Sequence, residues 1–270
     1  MALALGAGGI KGWAHVGVLK VLHRARIPID LAVGASAGAL IGPLYAARGD
    51  VDQMERIALA FSQRDFIEWF LRGLRLSPAG GRIGRKLWQA YGRMTFAELA
   101  VPFAVIAHDI RTAQRVILRQ GRLATAVEAS IRPPFWGRPT AGNGTALLDG
   151  GFQESVPSDI ARELGGSFVI GVNLGRFVRL PASARPHSAR LALSWRRLGT
   201  APAQPLSQAA FMTELLSREL GGTPGADIEI RPDMRGISAF APWRAGLAIR
   251  RGEAAARAAL PAIRRALSAG

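Results

Sequence analysis

The first fifty residues alternate between short apolar runs and stretches with helical periodicity, and glycine-rich turns separate them. The apolar runs are Leu3–Leu5 and Asp30–Gly34, and each is followed by apolar residues at helical spacing. Parallel strands are joined by long crossovers of this kind, which usually contain a helix. The alternation therefore predicts a three-layer α/β/α fold with a mostly parallel central sheet.

The same alternation continues along the chain, which at 270 residues suits one domain over 1–270. The motif-bearing core is expected at about 1–175, with a helix, strand and helix closing the same domain. Further strands are predicted at Pro102–Ala107, Arg115–Leu118, Ala146–Leu148, Phe168–Asn173 and Asp227–Arg231. Further helices are predicted at Ala124–Ser130, Ser158–Leu164, Leu206–Leu220 and Gly252–Leu267. Residues Arg176–Pro205 show little periodicity, which predicts an irregular loop.

Residues 50–95 predict a helical, aromatic-rich insert. One helical stripe contains Phe66, Ile67, Phe70, Leu71 and Leu74, and Arg64, Arg72 and Arg75 flank it. The stripe either faces the core or forms a lipid-facing cap, with Phe66, Trp69 and Phe70 entering a membrane interface. The exposure of Trp69 and Phe70 distinguishes the two interpretations.

The formal charge of +16 comes almost entirely from arginine. Such an excess favours anionic partners, either a phospholipid surface or nucleic acid. A GC-rich coding bias is the alternative cause, because the arginines are scattered, and no helix carries the dense basic stripe that nucleic-acid binding favours. Nothing in the sequence indicates an oligomeric state.

The composition also bears on location and on redox chemistry. Cysteine is absent, which excludes disulfides and a thiolate nucleophile. No apolar run reaches the ~18 residues that span a bilayer. The run Met1–Leu5 lacks a positive flank, so we interpret it as a buried strand rather than a signal peptide. We expect a cytoplasmic protein with peripheral contact at a membrane.

The sharpest motif is Gly34-Ala35-Ser36-Ala37-Gly38, a G-x-S-x-G between a predicted strand and a predicted helix. Glycines two residues either side of a serine permit a cramped turn that presents its hydroxyl towards solvent at a helix start. The pattern predicts Ser36 as a nucleophile. By itself it also arises by chance in a chain with 32 glycines.

A serine nucleophile needs a base, which is most often histidine. His15 and His23 fall on the first predicted helix, His108 ends a strand, and His187 lies in the irregular segment, so each is interpreted as structural or exposed. Asp149 instead follows an apolar strand and precedes Gly150 and Gly151. Because sites in parallel sheets collect at the carboxyl ends of strands, Asp149 is expected beside Ser36. An ordinary turn is the alternative interpretation of Asp-Gly-Gly.

The turn Gly6–Gly12 is rich enough in glycine for several backbone N–H groups to converge on an anion at a helix start. In acyl transfer that anion is the tetrahedral oxyanion. Lys11 adds positive charge or is solvated. A dinucleotide fingerprint fails because its glycines are out of phase and Asp30 begins the second strand rather than ending it.

Three motifs in this order resemble the patatin-like phospholipases, especially small bacterial members and the catalytic domain of neuropathy target esterase. The likeness runs through Gly6–Leu19, Gly34–Leu40 and Asp149–Gly151, and weaker likeness covers Phe103–Asp109, Ala129–Ser130 and Val156–Asn173. The C-terminal helix is also similar. Nearly the whole chain is covered.

The resemblance implies a patatin-like fold and a Ser-Asp dyad in which Ser36 attacks an acyl carbonyl and Asp149 accepts its proton. It implies an oxyanion hole at the backbone of Gly8 and Gly9, with help from the N–H of Ala37. Gly12, Gly34, Gly38, Gly150 and Gly151 would support these motifs. The implied substrates are phospholipids, lysophospholipids or neutral lipids, with no metal and no organic cofactor.

Three departures from the family pattern stand out. Ala7 replaces a glycine at the edge of the oxyanion turn, Glu154-Ser155 stands where asparagine is common, and Arg132–Trp136 is an unusual proline-rich loop. Ala7 and Glu154 motivate the alternative of a catalytically weak or silent lipid-binding protein.

Overall fold

The computed structural model describes residues 1–109, 111–112, 114–132, 140–142, 145–152, 156–175, 223–238 and 242–269. Its centre is an eight-stranded sheet. The strands are β1 (Ala2–Leu5), β2 (Leu31–Ala35), β3 (Phe103–Asp109), β4 (Gln114–Leu118), β5 (Thr140–Gly142), β6 (Thr145–Asp149), β7 (Val169–Val172) and β8 (Ile228–Ile230). The pairs β1–β2, β2–β3, β1–β7 and β7–β8 are parallel. The predicted fold with a mostly parallel central sheet is confirmed.

Helices cover both faces of this sheet. They are α1 (Trp13–Arg24), α2 (Ala37–Arg48), α3 (Val51–Leu59), α4 (Gln63–Leu71), α5 (Gly81–Leu87), α6 (Leu123–Ser130), α7 (Ser158–Glu163) and α8 (Ala245–Ala269). Strand alternation divides the core between the two faces. Leu3 and Leu5 pack with α1, α2 and α8, whereas Ala2 and Ala4 pack with Ile160 of α7. Small side chains on the second face bring α7 close to the sheet.

Helices α1 and α8 cross with their backbones in near contact. A Cβ on Gly17 would lie 2.0 Å from the carbonyl oxygen of Ile249, and one on Gly252 would lie 2.0 Å from that of Ala14. Gly252 is therefore a packing residue inside α8, which begins at Ala245. The predicted start at Gly252 was wrong because a glycine required for close packing resembles a helix boundary.

The direction of β6 differs from the parallel arrangement assumed for it. Strands β4 and β6 both pair antiparallel with β3, and β5 pairs antiparallel with β6. Strand β4 pairs with Val105–Asp109 on one edge of β3. Strands β2 and β6 pair with residues of that same stretch, so both must use the opposite edge. They meet there end to end, because Ala35 of β2 pairs with Ile106 and Asp149 of β6 pairs with Ala107.

The insert of α3, α4 and α5 buries a face that differs from the predicted stripe. Trp69 is 4% exposed, packs edge-on against Phe61, and donates from Nε1 to the carbonyl oxygen of Arg75. Asp65 lies on the same face, paired with Arg82. Trp69 therefore belongs to the core. In contrast, Ile67 and Leu71 are exposed, although the same stripe predicted them beside the half-buried, stacked rings of Phe66 and Phe70.

Within the described part of the chain, no helix combines the length and apolar character needed to cross a membrane. The predicted loop at Arg176–Pro205 and the predicted helix at Leu206–Leu220 lie outside the described residues. The expectation of one domain over 1–270 stays a prediction.

Candidate active site

The turn between β2 and α2 places Ser36 in a conformation that a non-glycine residue rarely adopts. Ser36 has φ 51° and ψ −112° and stands at the residue before α2, without a capping hydrogen bond from its side chain. A Cβ on Gly34 would lie 2.6 Å from backbone atoms of Gly38 and Ala39, and one on Gly38 would lie 2.0 Å from the carbonyl oxygen of Leu5. Both flanking glycines are therefore needed for the strand, turn and helix to close around a strained serine.

The hydroxyl of Ser36 donates a hydrogen bond of 2.6 Å from Oγ to Oδ2 of Asp149. The two residues are 113 positions apart in the chain, and the end-to-end meeting of β2 and β6 on β3 brings them together. Ser36 is only 8% exposed, so its hydroxyl lies in a recess rather than in open solvent as the motif suggested.

The Asp149 carboxylate is held by its own turn. The N–H of Gly151 donates 2.8 Å to Oδ1, while Ser36 occupies Oδ2. A Cβ on Gly150 would lie 2.2 Å from the carbonyl oxygen of Ile106. Gly150 therefore lets the chain turn directly against β3 and leaves both carboxylate oxygens with a fixed partner.

Burial raises the pKa of Asp149 to about 7, against the smaller lowering effects of the hydrogen bonds from Ser36 and Gly151. Asp149 is 7% exposed, and a buried carboxyl disfavours its charged form. A carboxylate with a pKa near neutrality is a much better proton acceptor than one with an ordinary value.

Ser130 completes the gap between the two strand ends. Its Oγ donates 2.6 Å to the carbonyl oxygen of Ile106 and accepts 2.9 Å from the N–H of Ser36. Ser130 is fully buried at the last turn of α6. It therefore fixes the serine turn to β3 at the point where β2 ends. The sequence offered only the weak likeness around Ala129–Ser130 as a signal for this residue.

The glycine turn after β1 packs beside Ser36. A Cβ on Gly12 would lie 2.7 Å from the Cβ of Ala37, so this glycine permits close contact between the two turns. Gly9 has φ 56°, which favours glycine. Among the described residues, the backbone hydrogen bonds leave the N–H groups of Gly8, Gly9 and Ala37 without an acceptor. These amides can therefore receive an anion.

Ala7 lies inside this site. Its methyl group is 2.2 Å from where a Cβ on Gly151 would stand, and that same position is 3.1 Å from the Cβ of Ser36. The missing side chain of Gly151 therefore makes room for the methyl group of Ala7. The other two departures fall wholly or mostly beyond the description, because 153–155 and 133–139 lie outside the described residues.

The described histidines do not contact the Ser36 hydroxyl. His15 is fully buried, its Nε2 lies 2.8 Å from the carbonyl oxygen of Gly6, and burial lowers its pKa to about 4. A neutral His15 donates from Nε2 and anchors the glycine turn. His23 is exposed and contacts the ring of Tyr45, and His108 lies buried in β3. His187 lies outside the described residues.

Lys11 is half-buried, and burial lowers its pKa. The described residues contain no cluster of three or more His, Asp or Glu side chains that could hold a metal ion.

The site consists of a serine on a strained strand-to-helix turn, hydrogen-bonded to a buried carboxylate at the neighbouring strand end of an α/β sheet. This arrangement describes a class of α/β proteins and does not by itself identify a family. Within that class, the sequence model of the patatin-like phospholipase family matches residues 3–162, more than half of the chain. The chain therefore belongs to the patatin-like phospholipase family.

Three relatives show how far the similarity extends. Neuropathy target esterase sws of Drosophila melanogaster is 29% identical over 183 residues, which cover 65% of this chain and 13% of the relative. Lysophospholipase NTE1 of Yarrowia lipolytica is 30% identical over 180 residues, with the same two coverages. An NTE family protein of Mycobacterium bovis is 31% identical over 178 residues, covering 64% of this chain and 49% of the relative. The aligned part thus spans half or less of each relative.

The fold has a counterpart among solved structures. VipD from Legionella pneumophila superimposes with a TM-score of 0.56 over 97% of this chain and 67% of that one. The two sequences are 15% identical, so this similarity concerns the fold alone.

Proposed function

We propose that this protein hydrolyses ester-linked fatty acyl groups of lipids, as a phospholipase A, lysophospholipase or esterase. Ser36 is the nucleophile and Asp149 its base in a catalytic dyad. The observation that carries the proposal is the hydrogen bond of 2.6 Å between the Ser36 hydroxyl and the buried Asp149 carboxylate. Membership of the patatin-like phospholipase family supports an acyl lipid as substrate.

The proposal assigns each step of the reaction to a group of the site. Asp149 Oδ2 takes the proton from Ser36 Oγ as the oxygen attacks the acyl carbonyl, and an oxyanion forms on the carbonyl oxygen. The N–H groups of Gly8, Gly9 and Ala37 form the oxyanion hole. Collapse breaks the ester bond, and Asp149 returns the proton to the departing alcohol. Water then attacks the acyl-serine, gives its proton to Asp149, and releases the fatty acid as Ser36 Oγ recovers that proton.

The test is hydrolysis of a short-chain p-nitrophenyl ester and of lysophospholipid by the wild type and Ser36→Ala. We expect Ser36→Ala to lower kcat by about 10⁴-fold or more, because the attacking atom is removed. The control is Ser158→Ala, which changes a fully buried serine at the start of α7, outside the site. Full activity in Ser36→Ala, or equal loss in both variants, would contradict the proposal.

The pH profile tests the base. The pKa of Asp149 at about 7 predicts that kcat/KM rises with pH and levels off above neutrality, because only the ionised carboxylate accepts the proton. A rate that is flat between pH 5 and pH 9 would exclude Asp149 as the base.

A catalytically silent lipid-binding protein is the second candidate, and the methyl group of Ala7 beside Gly151 is the observation that favours it. A fluorophosphonate probe separates the two candidates, since only an activated serine reacts. Labelling that depends on Ser36 supports the hydrolase. Absence of labelling, together with retained binding of a fatty-acyl lipid, supports the silent protein. The variant Ala7→Gly then shows whether that methyl group limits the reaction.

A further inference from the structure

The exposed apolar side chains of this protein are concentrated on one surface. Five large hydrophobic residues are exposed among the described residues, and Leu267 near the end of α8 is the only one of them away from this surface. The other four are Leu59, Ile67, Leu71 and Trp243, which together form what we call the apolar patch. Leu71 is 74% exposed and Trp243 60%, so these side chains pay the cost of contact with water in the free protein.

The four side chains come from neighbouring elements. Leu59 ends α3, while Ile67 and Leu71 are one helical turn apart on α4. The short helix Pro242–Arg244, which carries Trp243, packs against α4. Leu59 in turn reaches α8, where its Cδ2 would lie 3.5 Å from a Cβ on Gly246. The apolar patch is therefore one continuous surface rather than four isolated residues.

The unpaired charges that border the apolar patch, among the described residues, are positive. Arg64 on α4, Arg244 beside Trp243 and Arg250 on α8 are exposed. No carboxylate among the described residues lies within ion-pair distance of these three arginines. The two acidic residues of α4 are already neutralised, because Glu68 pairs with Arg72 and Asp65 pairs with Arg82. An apolar surface bordered by free cations is complementary to an anionic bilayer, in which phosphates lie above acyl chains.

The apolar patch also borders a cleft whose lining includes Arg132, a backbone neighbour of Asp149. A groove of about 920 Å³ runs along Ile67 and Leu71. Leu71 also lines a cleft of about 680 Å³ together with Arg75 and Arg132. The carbonyl oxygen of Arg132 accepts 2.9 Å from the N–H of Asp149, so one residue of the cleft lining is bonded directly to the site.

We propose that the apolar patch is the surface by which this protein docks on an anionic phospholipid bilayer. Ile67, Leu71 and Trp243 enter the acyl-chain boundary while Arg64, Arg244 and Arg250 contact lipid phosphates. The choice of a lipid surface as the partner rests on the proposed function. Docking in this orientation places the cleft at Arg132 against the membrane, from which a lipid reaches Ser36.

Vesicle sedimentation tests the proposal, with the full chain carrying Ser36→Ala so that no lipid is consumed. We expect this protein to sediment with vesicles of phosphatidylglycerol and phosphatidylcholine and to stay in solution with phosphatidylcholine alone. The pair Ile67→Ser/Leu71→Ser should weaken binding by about tenfold or more, because two exposed apolar anchors are lost. The pair Arg64→Gln/Arg244→Gln should weaken it by about 25-fold, at roughly fivefold for each charge near an anionic surface.

Matched changes elsewhere provide the control. Leu267→Ser removes the remaining exposed hydrophobic residue, and Arg264→Gln/Arg265→Gln removes two exposed arginines beside it. Each control should change binding by less than about twofold, because Leu267 is not expected to enter the bilayer and charges beyond a Debye length of about 8 Å are screened. Equal losses in patch and control variants would overturn the proposal in favour of non-local attraction by the net charge.

Other occupants of the apolar patch are outcomes of the same set of variants. The protein could fail to bind vesicles and instead bind single-stranded RNA, with Arg64→Gln/Arg244→Gln abolishing the RNA binding. This result would overturn the proposal in favour of a nucleic-acid partner. A dimer in sedimentation velocity that Ile67→Ser/Leu71→Ser dissociates, without vesicle binding, would overturn it in favour of a second copy of this chain.

The docking proposal and the proposed function fail separately. Patch variants that retain Ser36 should hydrolyse a soluble p-nitrophenyl ester within about twofold of the wild-type rate, since Ser36 and Asp149 are unchanged. The same variants should bind vesicles poorly. Vesicle binding without ester hydrolysis by the wild type would remove the proposed function alone. Ester hydrolysis without vesicle binding would remove the docking surface alone.

Discussion

The turn at Ser36 and the outer face of α4 are built in opposite ways. Around Ser36 the chain packs backbone against backbone, and a Cβ at Gly34 or Gly38 would overlap carbonyl or amide atoms. On α4, residues such as Ile67 and Leu71 are exposed, and no described neighbour covers them. The turn at Ser36 admits only a few residue types at each position, whereas the outer face of α4 accepts many different side chains. The difference decides both what a mutation costs and what a sequence can reveal.

The largest effect is expected where the backbone contact is closest. Gly38→Ala places a methyl group 2.0 Å from the carbonyl oxygen of Leu5, so we expect a loss of more than about 4 kcal/mol of unfolding free energy, or no folded protein. Gly246→Ala is the matched change on α8, where the new methyl group meets only side chains at 3.5 Å or more. That variant should gain about 0.5–1 kcal/mol from helix propensity. Urea unfolding measures both, and similar costs would break the comparison.

The next effect concerns the buried charge of Asp149. Its pKa is raised from 3.8 to about 7 in the folded protein, so the folded state holds a proton that the unfolded chain has released. Stability therefore falls as pH rises from about 4 to about 7, and the full cost remains above that range. Asp149→Asn removes the charge and should raise the unfolding free energy at pH 8 by up to about 4 kcal/mol, at about 1.4 per pKa unit.

The gain in Asp149→Asn should shrink to less than half at pH 5, since most of the wild-type carboxyl is then protonated in the folded state. The measurement is a pair of urea titrations of each protein at pH 5 and pH 8. A gain that is the same at both pH values would mean that the stabilisation does not come from the buried charge.

A smaller effect separates two fully buried helix serines. Ser130→Ala leaves the N–H of Ser36 and the carbonyl oxygen of Ile106 without their partner, at about 1–3 kcal/mol of unfolding free energy. It should also lower kcat while leaving KM unchanged, because the serine turn shifts and substrate contacts do not. The Ser158 hydroxyl has no hydrogen-bond partner among the described residues, so Ser158→Ala should be neutral. Loss of stability without any change in kcat would reduce Ser130 to a structural role.

The smallest effect is expected on the outer face of α4. Leu71→Ser should change the unfolding free energy by less than about 0.5 kcal/mol, because the side chain is exposed in the folded protein. Trp69→Ala, two positions earlier on the buried face, should cost about 3–5 kcal/mol. A large cost for Leu71→Ser would show that this face is covered by part of the protein.

The same contrast explains what the sequence could and could not predict. The alternation of strands and helices could be predicted because each element has its own periodicity. Gly34, Ser36 and Gly38 could be picked out because the turn admits few other residues. The direction of β6 could not be predicted, since an apolar strand reads the same whichever way it pairs. The outer face of α4 could not be predicted either, because burial of Asp65 depends on Arg82, which is distant in the sequence. Ser130 was missed as a partner of Ser36 because a lone serine in a helix carries no pattern.

The meeting of β2 and β6 makes the spacing of hydroxyl and carboxylate a property of strand register, not of the loops between them. Ala35 pairs with Ile106 of β3 and Asp149 pairs with the next residue, Ala107, so the register of the two strands on β3 places Ala35 next to Asp149. Insertions in the loops between these strands would leave this register unchanged. A slip of β6 by one residue would turn Asp149 to the other side of the sheet. The loops can therefore change in length during evolution without separating Ser36 from Asp149, provided that the register of β6 on β3 is kept.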